Sequence, residues 1–256
     1  MTVIASRDNP RVRRWRALAR DARLRRKESR ALIEGEHLVT SCMDAGWGLE
    51  TLILSASSSS RFRSLVSRAG SSAVLADAAF RSISDAEAPA GIAAEIALPA
   101  AKPALGSAKC CVFLERVQDA GNVGAILRSA AAFGIRHAVL GIGCADAWSP
   151  KVLRAGMGAH FAMEIEERAG LAEAFARFGG KLACTAARGG TPLAEADLSG
   201  RLGWVFGSEG QGVSAALARL AALKVTIPMP GASESLNVAA AAAVCFYELS
   251  RRAARS

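Results

Sequence analysis

From residue 110 onward the chain repeats one pattern, a short apolar run followed by a helical stretch, and this constrains its fold more than any other feature. Strand-like runs fall at 111–117, 137–142, 161–165, 181–186, 202–206 and 224–227. Helical patterns fall between and after them, at 122–133, 150–156, 171–178, 213–221 and 235–252. Strands joined through helices pair in parallel, because a hairpin cannot return the chain to the same end of the sheet. The expected fold class is therefore α/β, with a mostly parallel sheet covered on both faces. Such sheets bind ligands beyond the carboxyl ends of their strands. The residues to inspect are those that follow each strand.

Before residue 100 the pattern predicts a second, smaller α/β unit. It begins with a basic helix reaching to about residue 30, with Trp15 and Leu18 as its apolar points. Strands follow at 31–34, 51–56, 73–76 and 92–98, with helices at 37–45 and 62–68 and a turn at Ser57–Ser60. Two prolines and a glycine among small residues in 98–109 mark a linker. The expected division is 1–100, a linker at 101–109, and 110–256.

Charge is unevenly placed. Residues 1–30 hold eleven basic and three acidic side chains, which accounts for nearly all of the net +9. A cationic segment of this density suits a polyanion, since each phosphate it neutralises releases condensed counterions. Arg11, Arg13, Arg14, Arg25 and Arg26 are the candidate RNA contacts. The competing readings are a solvated basic helix and an organelle transit peptide; Asp8, Asp21 and Glu28 and the Asn9–Pro10 break argue against the second. Aromatic residues make up only 5% of the chain, which disfavours a site built of stacked rings. The six cysteines form no Cys-x-x-Cys pair and the three histidines do not cluster with them, so no metal site is expected. The longest apolar run, 238–247, is too short to span a bilayer, and no signal peptide is visible. A reduced, cytoplasmic protein is the expectation.

Three strand-end segments could carry chemistry. The first is Asp119-Ala-Gly-Asn-Val-Gly-Ala-Ile-Leu-Arg128. Here Asn122 can cap the following helix, and Arg128 lies under two turns beyond it, directed roughly to the same side. The second is Val205-Phe-Gly-Ser-Glu-Gly-Gln-Gly212, whose three glycines surround Glu209. Its spacing is not the G-x-G-x-x-G of dinucleotide loops, which puts a nicotinamide dehydrogenase last. The third runs from Ile227 through Pro-Met-Pro-Gly to Ser235-Leu-Asn-Val238 and opens a long helix that Ser235 or Asn237 can cap. Taken singly, each is equally well read as a capped helix or a glycine turn.

Taken together and in order, they resemble the three signature motifs of the SpoU (TrmH-like) branch of the SPOUT RNA methyltransferases. Ser149-Pro-Lys-Val-Leu-Arg-Ala-Gly-Met-Gly-Ala159 is similar to that family's linking segment. Ser6–Val12, Ala31–His37 and Ile83–Ile92 are similar to its N-terminal substrate-binding domain, which folds like ribosomal protein L30e and binds RNA. The resemblance implies a C-terminal SPOUT domain tied in a deep trefoil knot, a homodimer, and S-adenosylmethionine as cofactor. It further implies that Gly207, Ile227 and Leu236 hold the cofactor. Arg128 would hold a phosphate and stabilise the developing alkoxide, since a guanidinium is not deprotonated in proteins. Asn122 and Glu209 would orient the arginine or the ribose, with Ser235 and Asn237 completing the catalytic set. Ala120, Gly156 and Ser208 depart from the family's usual proline, serine and asparagine, and none of them removes a residue of that set.

The implied function is methylation of a ribose 2′-hydroxyl, in ribosomal rather than transfer RNA because of the added N-terminal domain. The alternatives are a SPOUT enzyme that methylates a base and a catalytically silent RNA-binding homologue.

Overall fold

The structure is a computed structural model that describes residues 2–100, 102–231 and 235–253. In chain order the elements are β1 Val3–Ile4, α1 Pro10–Arg20, α2 Ala22–Glu28, β2 Arg30–Glu34, α3 Glu36–Asp44 and β3 Leu49–Ser55. Next come α4 Arg63–Arg68, β4 Ser72–Leu75, α5 Asp77–Ile83, β5 Ile92–Ala97, β6 Cys110–Leu114, α6 Ala120–Ala132 and β7 His137–Gly141. The remainder are α7 Pro150–Gly156, β8 Glu164–Ala169, α8 Leu171–Phe178, β9 Lys181–Thr185, β10 Thr191–Pro192, β11 Leu202–Phe206, α9 Ala215–Ala218, β12 Leu223–Thr226 and α10 Val238–Ala253.

Two compact units result, one of residues 1–101 with 148–161 and one of 102–147 with 162–256. In the first, five strands lie in the order β1-β4-β3-β5-β2, with β5 antiparallel to both neighbours. Val12, Trp15 and Leu18 on one face of α1 pack with Ile53, Leu75 and Phe80 in its core. The basic helix does not run unbroken to residue 30. Asp21 leaves helical geometry and its carboxylate accepts from the Arg23 and Leu24 amides, ending α1 and capping α2. Residues 148–161, placed by the sequence with the C-terminal domain, belong to this unit. Trp47 meets Trp148 and Phe161 with ring centroids 5.9 and 5.3 Å apart, and Arg154 pairs with Asp85 at 2.8 Å.

The second unit is a seven-stranded sheet in the order β10-β12-β9-β11-β6-β7-β8, parallel at every pairing. Alternating residues serve its two faces. Cys111, Phe113 and Val205 pack with Phe175 and Phe178 of α8, while Phe206 on the opposite face meets Phe246 of α10 edge-on at 5.7 Å. Helix α10 also packs along α6. The segment expected as a linker is part of this core: Leu105 and Ala108 are 1% and 2% exposed. Their apolar surface is worth more buried than hinging, and the prolines and glycine around them act as turns rather than as a tether.

Candidate active site

The ends of β6, β11 and β12 lie on one edge of the parallel sheet, and their loops bring together residues far apart in sequence. Asp119, not Asn122, caps α6: its Oδ1 accepts the Asn122 amide at 2.8 Å. This frees the Asn122 side chain, which bonds in both directions. Its Nδ2 donates to Glu209 Oε1 at 2.9 Å, and its Oδ1 accepts from Asn237 Nδ2 at 2.9 Å. Asn237 in turn uses Oδ1 to accept the Ala239 and Ala240 amides at 2.8 and 3.3 Å, capping α10 as its position predicts. The backbone of Asp119 also donates to Glu209 Oε1, at 3.4 Å. One residue from each of the three motifs thus joins a single hydrogen-bonded chain.

That chain fixes the charge state of Glu209. Desolvation pushes its carboxyl up, but the Asn122 amide and the backbone N–H groups of Glu209, Asp119 and Gln118 outweigh it and hold the pKa below the usual carboxylate value. Glu209 is an anion at neutral pH.

Beside the chain opens a cavity of about 760 Å³, within the range typical of small-molecule sites. Gly207, Glu209, Ile227, Ser235, Leu236 and Asn237 all line it. The 207–212 loop closes on itself through the Gly212 amide donating to the Ser208 carbonyl at 2.8 Å. A Cβ on Gly207 would lie 1.9 Å from the Gly212 carbonyl oxygen, so only glycine permits this closure. Ser214 and Glu115 secure the loop's exit, with the Ser214 amide donating to Glu115 at 2.7 Å.

Arg128 stands apart from this set. It is exposed on α6 and, among the described residues, has no hydrogen bond or ion pair. Six residues of α-helix turn by about 600°, so its side chain leaves the axis roughly 120° from that of Asn122. The expectation that both project to similar sides is corrected by that geometry.

The sequence reading did not identify the loop after β9, although strand-end placement and the Gly189–Gly190 pair were signals for it. Residues 184–189 form a wall of the cavity, and Arg188 and Lys224 bring two cations to it. A Cβ on Gly190 would lie 2.7 Å from Thr226 Oγ1 and 2.8 Å from the Lys224 carbonyl, so this loop, too, requires glycine against β12.

The basic segment divides by environment. Arg11, Arg13 and Arg26 are exposed, with Arg11 lying over the Trp15 ring at 4.9 Å. Arg14 and Arg25 have structural roles instead. Arg14 grips Glu95 through two bonds of 2.8 Å and also bonds Glu28 at 2.7 Å. Arg25 is buried and donates to the Leu18 carbonyl at 2.5 Å. The helical period turns these two inward, which a count of charges does not reveal. Glu95 is the hub of this unit and also accepts from Trp15 Nε1 at 2.8 Å. Among the described residues no group of three His, Cys, Asp or Glu could hold a metal ion, and no helix is long and apolar enough to cross a membrane.

Comparison with known proteins agrees with this layout. Residues 109–247 match the SpoU rRNA Methylase family, and residues 9–94 match an MRM3-like substrate binding domain. The 23S rRNA (guanosine(2553)-2′-O)-methyltransferase RlmP of Bacillus subtilis is 34% identical over 251 residues, 97% of this chain and 99% of that protein. The mitochondrial rRNA methyltransferase 3A of Danio rerio is 34% identical over 165 residues, 60% of this chain and 38% of that protein. Among solved structures, the SpoU methyltransferase AviRb of Streptomyces viridochromogenes, in complex with AdoMet, superimposes with a TM-score of 0.88 at 26% identity, covering 96% of this chain and 98% of that one. The AdoMet-bound rRNA methyltransferase of Sinorhizobium meliloti gives 0.84 at 27%, covering 98% of each. With its three motifs joined at one sheet edge and its family model covering more than half its length, the chain belongs to the SpoU rRNA methylase family.

Proposed function

We propose that this protein transfers a methyl group from S-adenosylmethionine to a ribose 2′-oxygen of ribosomal RNA. The observation that carries the reading is the Asn122–Glu209 and Asn122–Asn237 pairing beside the cavity lined by Gly207, Ile227 and Leu236. The relatives named above, two of them with AdoMet bound, support the cofactor and the substrate class.

The cavity residues fit such a cofactor. Gly207 keeps the loop closed and its backbone close to the space within, and the backbone of Gly207, Ile227 and Leu236 would hold the cofactor. When bound, S-adenosylmethionine supplies an electrophilic sulfonium methyl. The chain's own part is to present the ribose in line and to stabilise the charge that develops on its oxygen. Arg128, an exposed cation with no partner of its own among the described residues, would hold the flanking phosphate and the alkoxide. Anionic Glu209, its carboxylate already fixed by Asn122, would orient Arg128 or a ribose hydroxyl, and Ser235 and Asn237 would complete the pocket wall.

Two further readings belong to the proposal. Arg11, Arg13 and Arg26 would meet RNA phosphates, supported by their exposure and by the match of this region to a substrate-binding domain. The C-terminal unit would be knotted and paired with a second copy, acting in the cytoplasm on ribosomal RNA. The support for the knot is membership of the SpoU family, whose resemblance implies it.

The test is to incubate the purified protein with methyl-labelled S-adenosylmethionine and deproteinised ribosomal RNA, followed by alkaline hydrolysis. A 2′-O-methyl group blocks cleavage at its own phosphodiester, so label in an alkali-resistant dinucleotide is expected. Label on a free nucleobase after acid hydrolysis would replace the reading with base methylation.

A further inference from the structure

Among the described residues, four other than glycine have positive φ: Ser29, Arg116, Met157 and Arg168. Ser29 and Met157 are the C-caps of α2 and α7, where the left-handed conformation is ordinary. Arg168 lies at a register irregularity between edge strand β8 and β7. Arg116, with φ at 55°, has neither explanation. It sits in the loop between β6 and α6, three residues before the cap Asp119, at the sheet edge that carries the site.

Its neighbours hold it there. The Glu115 amide donates to the Phe206 carbonyl at 2.8 Å, and the Val117 carbonyl accepts from the Ala145 amide at 2.9 Å. Val117 is fully buried. Between these two anchored neighbours residue 116 is left-handed, a conformation that glycine or asparagine adopts at much lower cost than arginine. The turn sends the Arg116 side chain out over Gly143, where a Cβ would come within 3.3 Å of Arg116 Cγ. Arg116 is exposed, and among the described residues its side chain forms no hydrogen bond or ion pair. A strained backbone therefore holds a free cation at the functional edge, an arrangement characteristic of substrate contacts.

We propose that Arg116 is a second phosphate contact for the RNA strand, alongside Arg128, gripping the backbone next to the ribose presented to the site. This rests on the proposed function for the nature of the substrate. It assigns to this chain a further RNA-binding residue, outside the three motifs, that positions the strand rather than reads its sequence.

The test compares wild type, R116N and R116K. Asparagine tolerates the left-handed conformation but carries no charge, whereas lysine keeps the charge. R116N is expected to melt no lower than wild type and to bind S-adenosylmethionine equally well. Its Kd for deproteinised ribosomal RNA should rise roughly tenfold. Its plot of log affinity against log salt should be shallower by about 0.7–0.9, the signature of one lost phosphate contact. R116K should keep the wild-type salt slope. A wild-type slope in R116N overturns the proposal, as does wild-type protein without affinity for RNA. If the slope depends on Arg116 but wild type transfers no methyl to ribose, the functional reading fails and the phosphate contact stands.

Discussion

Asn122 and Glu209, 87 residues apart, are joined by a 2.9 Å hydrogen bond that ties the loop after β6 to the loop after β11. The same asparagine accepts from Asn237, so one amide couples all three motifs. Asn122→Ala removes both bonds and leaves Glu209 and Asn237 without that partner. Methyl transfer is expected to fall by about 10²-fold. Thermal unfolding, which senses mainly the core, should shift little, and the two assays together check the assignment.

Glu209 gives a pH prediction. Its folded pKa is lowered, so the carboxylate is charged throughout the neutral range. Any stability it lends is present above the unfolded carboxylate value of about 4.3 and is lost as pH falls through the lower folded value. A rate profile measured from neutral to mildly acidic pH should therefore show no titration from this group. In Glu209→Gln the rate should drop at every pH without a change in the profile's shape.

Arg128→Ala is expected to lower the turnover number by at least about 10²-fold while leaving S-adenosylmethionine affinity within a few-fold of wild type. Arg128 does not line the cavity and among the described residues bonds nothing there, so cofactor binding has no reason to change. Calorimetry and single-turnover transfer separate the two effects. Unaltered turnover would remove Arg128 from the mechanism.

In the N-terminal unit the prediction concerns which arginines serve binding and which serve folding. Arg13→Ala should weaken RNA affinity and flatten its salt dependence by about one unit, without altering the unfolding midpoint. Glu95→Ala should do the reverse. It strands the Trp15 N–H and part of Arg14 in a buried setting. The cost should be about 2–3 kcal/mol, discounted because Arg14 is partly exposed. At Glu95 burial raises the carboxyl pKa, but Arg14, Trp15 and Arg30 together bring it below the ordinary value. Its stabilisation should therefore be complete above the unfolded carboxylate value and fade as pH falls through the folded one.

Much of the C-terminal unit is legible in the sequence because periodicity and strand-end loops are local signals. The helix at 171–178 and the strand at 202–206 lie where the pattern puts them, and so does the helix at 150–156, although it joins the other unit. What the pattern misses depends on tertiary context. Helix α9 spans only Ala215–Ala218 where a longer helix is expected, since its alanines have little apolar surface to anchor further turns. Strands β1 and β10, at two residues each, exist through their neighbours β4 and β12. Helix α5 follows β4 after one residue, too short a break to register as punctuation. At the site the motif residues could be identified but their division of labour could not. Which of Asp119 and Asn122 caps α6 depends on a competitor for the Asn122 amide arriving from residue 209.

Most direct for the central claim is a mass-spectrometric comparison of ribosomal RNA from cells with and without this protein. One nucleotide is expected to lose a 2′-O-methyl group when the protein is absent and to regain it on complementation with wild type but not with Arg128→Ala. Ribosomal RNA with an unchanged set of ribose methylations, or the loss of a base methyl group instead, would contradict it.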